Sequence, residues 1–173
     1  MKGSEIQEKE EKNCVKRFLS YYCQENNERE KDAKIKPNEI QDVVDVFVNF
    51  KNGKKLKIQV TVADYIKTGC FQTQISKKYY ESTPLNTRNE SIPFSIRDRH
   101  DMRPVLKALN AKIEKYKKQG KDEKEMNNIF LLFDDQMGDF PIDATKDIGW
   151  SSCKNYFKEV WYVGRTRCIY RIL

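Results

Sequence analysis

The stretch Val43-Val44-Asp45-Val46-Phe47-Val48-Asn49-Phe50-Lys51-Asn52-Gly53-Lys54-Lys55-Leu56-Lys57-Ile58-Gln59-Val60-Thr61-Val62-Ala63 decides how the rest of the chain is read. Its first part, 43–50, is dense in β-branched and aromatic side chains, which suit a pleated, half-buried surface. Asn52-Gly53 is a strong hairpin signal, because both residue types tolerate the positive φ that a tight turn demands. The second part, about 55–63, alternates: Leu56, Ile58, Val60 and Val62 fall on one face, Lys57, Gln59 and Thr61 on the other. Two antiparallel strands around a tight turn are expected over 43–63. Asp45 stands out, since an acid within Val-Val-Asp-Val-Phe-Val costs free energy unless it is paired or put to use. It could fix a turn, pair with Lys57 across the hairpin, or carry chemistry.

Upstream, residues 1–24 hold an amphipathic helix running over 4–24. Ser4 is its expected N-cap, Glu8, Glu10 and Glu11 suit the early turns, and Val15, Phe18, Leu19 and Tyr22 form a stripe at helical spacing. Residues 25–39 are polar and charged and read as a connection. Downstream, 64–81 is ambiguous: Phe71, Ile75 and Tyr79 have helical spacing, yet Gly69–Ile75 also reads as a third strand. Residues 82–100, with Pro84, Pro93 and many polar side chains, read as a long surface loop, a place where function often sits. A second helix is predicted over 102–119, with Val105, Leu106, Leu109, Ile113 and Tyr116 inward and Gly120 at its end. Asn128–Asp135 is a short continuous apolar run ending in two acids, the pattern of a central strand buried on both faces. A short helix around 149–158 and a closing hairpin, Trp161–Val163 with Cys168–Ile172, complete the 149–173 segment. The fold class expected is α/β: one domain over 1–173, with a mixed β-sheet flanked by helices.

Composition narrows the function classes. No run approaches the roughly 18 apolar residues that span a bilayer, and the first residues lack the apolar core of a secretory signal. Five scattered cysteines without a C-x-x-C pair suggest reduced thiols and a cytoplasmic or otherwise intracellular setting. His100 is the only histidine and sits in the charged run Arg97–Asp101, so a histidine-based zinc site or a serine–histidine pair is not expected. No glycine-rich phosphate loop occurs, which disfavours a Rossmann-type nucleotide enzyme. The net charge of +7 is uneven: residues 51–121 carry 17 basic and 6 acidic side chains. Such a basic middle third suits a phosphate-rich partner, DNA or RNA. A lysine-rich solvated surface is the plainer account.

The hairpin, the later helix Leu109–Tyr116 and the strand Ile129–Phe133 together resemble the PD-(D/E)XK nuclease-like superfamily over roughly residues 5–135. That resemblance implies a restriction-endonuclease-like αβββαβ core. In it an acid near the start of one hairpin strand faces a D/E-x-K tripeptide on the next. Asp45 and Gln59, 14 residues apart across the Asn-Gly turn, stand at the matching positions. The resemblance implies metal-assisted phosphodiester hydrolysis with Mg²⁺ or Mn²⁺, Asp45 being the main metal carboxylate and Gln59 offering a neutral amide oxygen. Thr61 stands where the family has its lysine, and threonine is no substitute for a cation.

Two residues are candidates to repair the pattern. Lys112, at the margin of its helix's apolar face, could reach inward as a displaced lysine or lie along the surface. Glu11, on the stripe of Val15, Phe18 and Tyr22, could be a metal ligand from the first helix or an exposed acid. Asp134-Asp135 could form a second metal pair or simply end a strand. Arg165, Arg167 and Arg171 could touch phosphate or guard a sheet edge. The expected function is therefore a metal-dependent nuclease. The alternatives are a nuclease-like nucleic-acid-binding or assembly subunit without catalysis, and a protein-interaction module. The sequence leaves a homo-oligomer open.

Overall fold

The computed structural model describes residues 2–40, 43–62, 103–135, 156–165 and 168–173. In chain order the elements are helix α1 (Lys2–Glu25), a 3-10 turn at Glu30–Asp32, strands β1 (Ala33–Pro37), β2 (Val46–Phe50) and β3 (Lys55–Val62), helix α2 (Arg103–Lys118), the short helix α3 (Glu123–Met126), and strands β4 (Ile129–Asp134), β5 (Glu159–Val163) and β6 (Ile169–Arg171). The six strands form one sheet in the order β1-β2-β3-β4-β5-β6. β1, β2 and β3 pair antiparallel, β3–β4 and β4–β5 pair parallel, and β6 returns antiparallel on β5. The chain is thus an α/β protein with a mixed sheet.

Alternation along the strands sorts the core into two halves. Val46, Val48, Phe50, Leu56, Ile58, Val60, Phe130, Leu132, Trp161 and Val163 point to one face, where Cys14, Val15, Phe18, Leu19 and Tyr22 of α1 cover them. Leu131, Phe133, Val160 and Tyr162 point to the other, against Leu109, Ile113 and Tyr116 of α2. Every residue of β4 is buried, as its continuous apolar run requires of a strand covered on both sides. Phe18 meets Trp161 edge-on at 5.1 Å between ring centroids, anchoring α1 over the middle of the sheet. Among the described residues no helix is long and apolar enough to cross a membrane.

Several boundaries differ from the sequence reading. α1 begins at Lys2, so Ser4 lies inside its first turn and not at the cap. The segment 25–39, expected to be a connection, contains β1. There Ala33 and Ile35 turn towards the core while Lys34 and Lys36 stay exposed. A one-sided edge strand ending in proline has little apolar weight and is easily read as a loop. β1 is therefore the strand that pairs with the hairpin's outer side. The alternative strand at 69–75, the loop at 82–100 and His100 lie outside the described residues. Of the helix expected at 149–158, only 156–158 fall within the described residues, and they form a turn before β5.

Candidate metal and phosphate site

The hairpin turn sets the register on which the site depends. Gly53 N–H donates to Phe50 O and Phe50 N–H to Lys54 O, closing a three-residue loop in which Gly53 takes φ +86°. From there Val46 pairs with Ile58, the last pair of the β2–β3 ladder. The Asp45 amide donates to that same Ile58 carbonyl at 2.9 Å, so the chain shifts out of register at Asp45. β2 ends here, and the Val44 carbonyl accepts from Asn38 Nδ2 at 2.8 Å. The Val60 amide, beyond the last pair of that ladder, donates to Asp45 Oδ2 at 2.8 Å. A frayed strand end thereby fixes the carboxylate against β3.

A cleft of about 540 Å³ opens beside this strand end, and Glu11, Asp45, Gln59, Lys112, Lys115 and Tyr116 are among the residues lining it. Four of the residues singled out from the sequence, Glu11, Asp45, Gln59 and Lys112, therefore meet in one place. They come from α1, the two hairpin strands and α2. Thr61 joins them through Lys112, whose ammonium donates to the Thr61 hydroxyl. The position without a lysine on β3 is thus next to a lysine delivered from α2. Gln59 is 4% exposed. Its amide Nε2 donates to the Tyr116 hydroxyl, while its Oε1 is buried with no hydrogen-bond partner. An orphaned buried acceptor is uncommon in folded proteins and calls for an explanation.

Charge in the cleft is held at a cost. Burial lifts the Asp45 carboxyl to about 6. The Val60 amide works against that shift, Glu11 adds to it, and Lys112 opposes it. Burial likewise lowers Lys112 to about 8, with Asp45 and Glu11 pulling it back up and Lys115 pushing it further down. Glu11 takes one hydrogen bond from Gln7 Nε2, 2.8 Å away on the same helix. The oxygens of Glu11, Asp45 and Gln59 are all hard donors, the kind that Mg²⁺ and Mn²⁺ accept. A cation among them would pair two carboxylates that now oppose one another and would give Gln59 Oε1 a partner, so the residues fit such an ion. Among the described residues no three His, Cys, Asp or Glu side chains gather as a metal cluster. The set here has two carboxylates and an amide.

Asp134 and Asp135 do not form a pair. Successive strand residues point to opposite faces. Asp134 meets Arg17 of α1 in a partly buried ion pair, and Asp135 accepts a 2.5 Å hydrogen bond from Tyr162 on the other side. Arg171 lies on the edge strand, 4.0 Å from the Glu159 carboxylate, and Arg167 is outside the described residues. The sequence reading overlooked Tyr116 and Lys115. Tyr116 has the spacing of a core residue, and its hydroxyl was the signal, because a buried phenol needs a hydrogen-bond partner. No protein-family model, no curated protein and no solved structure matches this chain.

Proposed function

We propose that the chain is a metal-dependent nuclease of the PD-(D/E)XK type, hydrolysing phosphodiester bonds in DNA or RNA. The observation that carries this reading is the cleft in which the Asp45 and Glu11 carboxylates, the orphaned Gln59 oxygen and the Lys112 ammonium converge. The order α1, β1, β2, β3, α2, β4 supports it, since it follows the αβββαβ core of that superfamily. So does the presence of both Asp45 and Gln59 on the wall of one cleft.

In this reading Asp45, Gln59 and Glu11 hold a divalent cation. Such a cation, when bound, supplies the charge that polarises the phosphate and acidifies an attacking water. Lys112, set in place by the Thr61 hydroxyl, faces the negative charge that builds on the phosphate oxygens as the bond breaks. Lys115 at the rim draws the polymer backbone to the cleft. The Val60 amide holds the Asp45 carboxylate in the orientation of a ligand.

Labelled single- and double-stranded DNA and RNA, incubated with Mg²⁺, Mn²⁺ or chelator, test the proposal beside Asp45→Ala. Cleavage that requires the metal and drops by at least about a hundredfold in the variant is the expected result, the size typical of losing a principal electrostatic group. The polymer that is cut identifies the substrate. Retention of intact nucleic acid, unaffected by metal, supports instead a binding or assembly subunit. The low count of carboxylates in the cleft favours that second reading.

A further inference from the structure

A glutamine serving as a metal ligand has a difficulty that an acid does not. A carboxylate presents an oxygen whichever way it is turned, whereas an amide turned by half a revolution presents an N–H to the cation. Gln59 therefore has to be held in one of two nearly isosteric orientations. Among the described residues, the group that meets its N–H edge is the Tyr116 hydroxyl, which accepts the Gln59 Nε2–H. A hydroxyl can also donate, and a cation on Oε1 is what makes accepting the favoured direction. The opposite edge of the amide, Oε1, is thereby left without a hydrogen-bond partner and buried at the cleft that Asp45 also lines. Tyr116 is itself 6% exposed, its ring packed with Leu109 and Ile113 against the sheet, so its hydroxyl has little freedom to move away.

We infer that Tyr116 is a positioning residue that orients the Gln59 amide oxygen towards a divalent cation, and so allows a neutral side chain to stand where an acid is usual. The inference rests on the nuclease-type reading of the cleft, and it concerns the cation site alone. α2 then contributes both Lys112 for the phosphate and, one turn further on, Tyr116 for the ligand. Because the phenol acts by accepting a hydrogen bond, phenylalanine removes the function while keeping the ring and its packing.

The test is Mn²⁺ binding to the purified full chain, followed by calorimetry and by the electron paramagnetic resonance of free Mn²⁺, in a square of four proteins: wild type, Tyr116→Phe, Gln59→Glu and the double variant. Asp45→Ala serves as the control. Tyr116→Phe is expected to weaken Mn²⁺ binding by roughly tenfold or more, the usual effect of losing a group that orients a ligand. In the Gln59→Glu background the same change is expected to do little, because a carboxylate has no wrong way round. An equal loss in both backgrounds assigns Tyr116 a merely structural part and overturns the inference. Unchanged binding in Tyr116→Phe overturns it as well. Wild-type protein that binds Mn²⁺ no better than Asp45→Ala removes the cation site itself, and with it both this inference and the reading on which it rests.

Discussion

Burial raises the Asp45 carboxyl to about 6 and lowers the Lys112 ammonium to about 8, so both groups pay for being charged in the absence of a cation and a phosphate. The sign of the Asp45 effect follows from linkage. Between the ordinary carboxyl value near 4 and about 6 the native state holds a proton that the unfolded chain has given up, so stability falls as pH rises across that window. Asp45→Asn, which keeps an oxygen for the Val60 amide, is expected to flatten that fall. At pH 7 in chelator it should stabilise the protein by on the order of 2–3 kcal/mol. Urea titrations of both proteins from pH 4 to 7 check this, and parallel curves would show that the carboxylate is not strained. Asp45, Gln59, Lys112 and Glu11 were singled out through the resemblance to PD-(D/E)XK proteins, and hairpin spacing and helical stripes showed only that such positions could face one another. The role of the Tyr116 hydroxyl was not legible, since which buried polar atoms meet is settled only when α2 docks on β3.

Elements differ in how plainly they announce themselves. The hairpin was read closely because strand alternation and Asn-Gly chemistry agree, and β4 because six successive buried residues leave few alternatives to a central strand. β1 escaped because its signal is confined to Ala33 and Ile35 between exposed lysines, and its stability comes from pairing with β2, a tertiary contribution invisible in its own residues. The turn at Gly53 is where one element controls the site, since the register it fixes, Val46 on Ile58, brings Asp45 up against β3. An added methyl group would meet nothing within 4 Å, so the whole cost of Gly53→Ala is the backbone strain of an alanine at φ +86°. Denaturant unfolding should show a loss of about 1–2 kcal/mol. A smaller loss accompanied by weaker Mn²⁺ binding would mean that the turn relaxes and the register suffers instead.

At the scale of the whole molecule, the sheet brings together residues from distant parts of the chain: Glu11 from the first helix, the hairpin pair and Lys112 more than fifty residues beyond them. The layers do this because α2, which precedes the parallel strand β4, packs on one face of the sheet while α1 covers the other. α2 therefore lies over the hairpin and carries its lysines to the cleft. Lys112, Lys115 and Lys121 line the cleft beside Glu11 and Asp45. Binding of a nucleic acid at such a surface releases counterions, so affinity should fall steeply with salt, by a logarithmic slope of about 0.9 for each duplex phosphate contacted. Lys115→Ala, which removes an exposed cation at the rim of the cleft, should lower that slope by about one. Lys31→Ala, which changes the net charge equally at an exposed site on the 3-10 turn, should leave it unchanged. Binding isotherms between 50 and about 300 mM salt measure the slopes. Equal effects of the two substitutions would mean that the polymer responds to overall charge and is not seated in the cleft, which would separate binding from the residues proposed for catalysis.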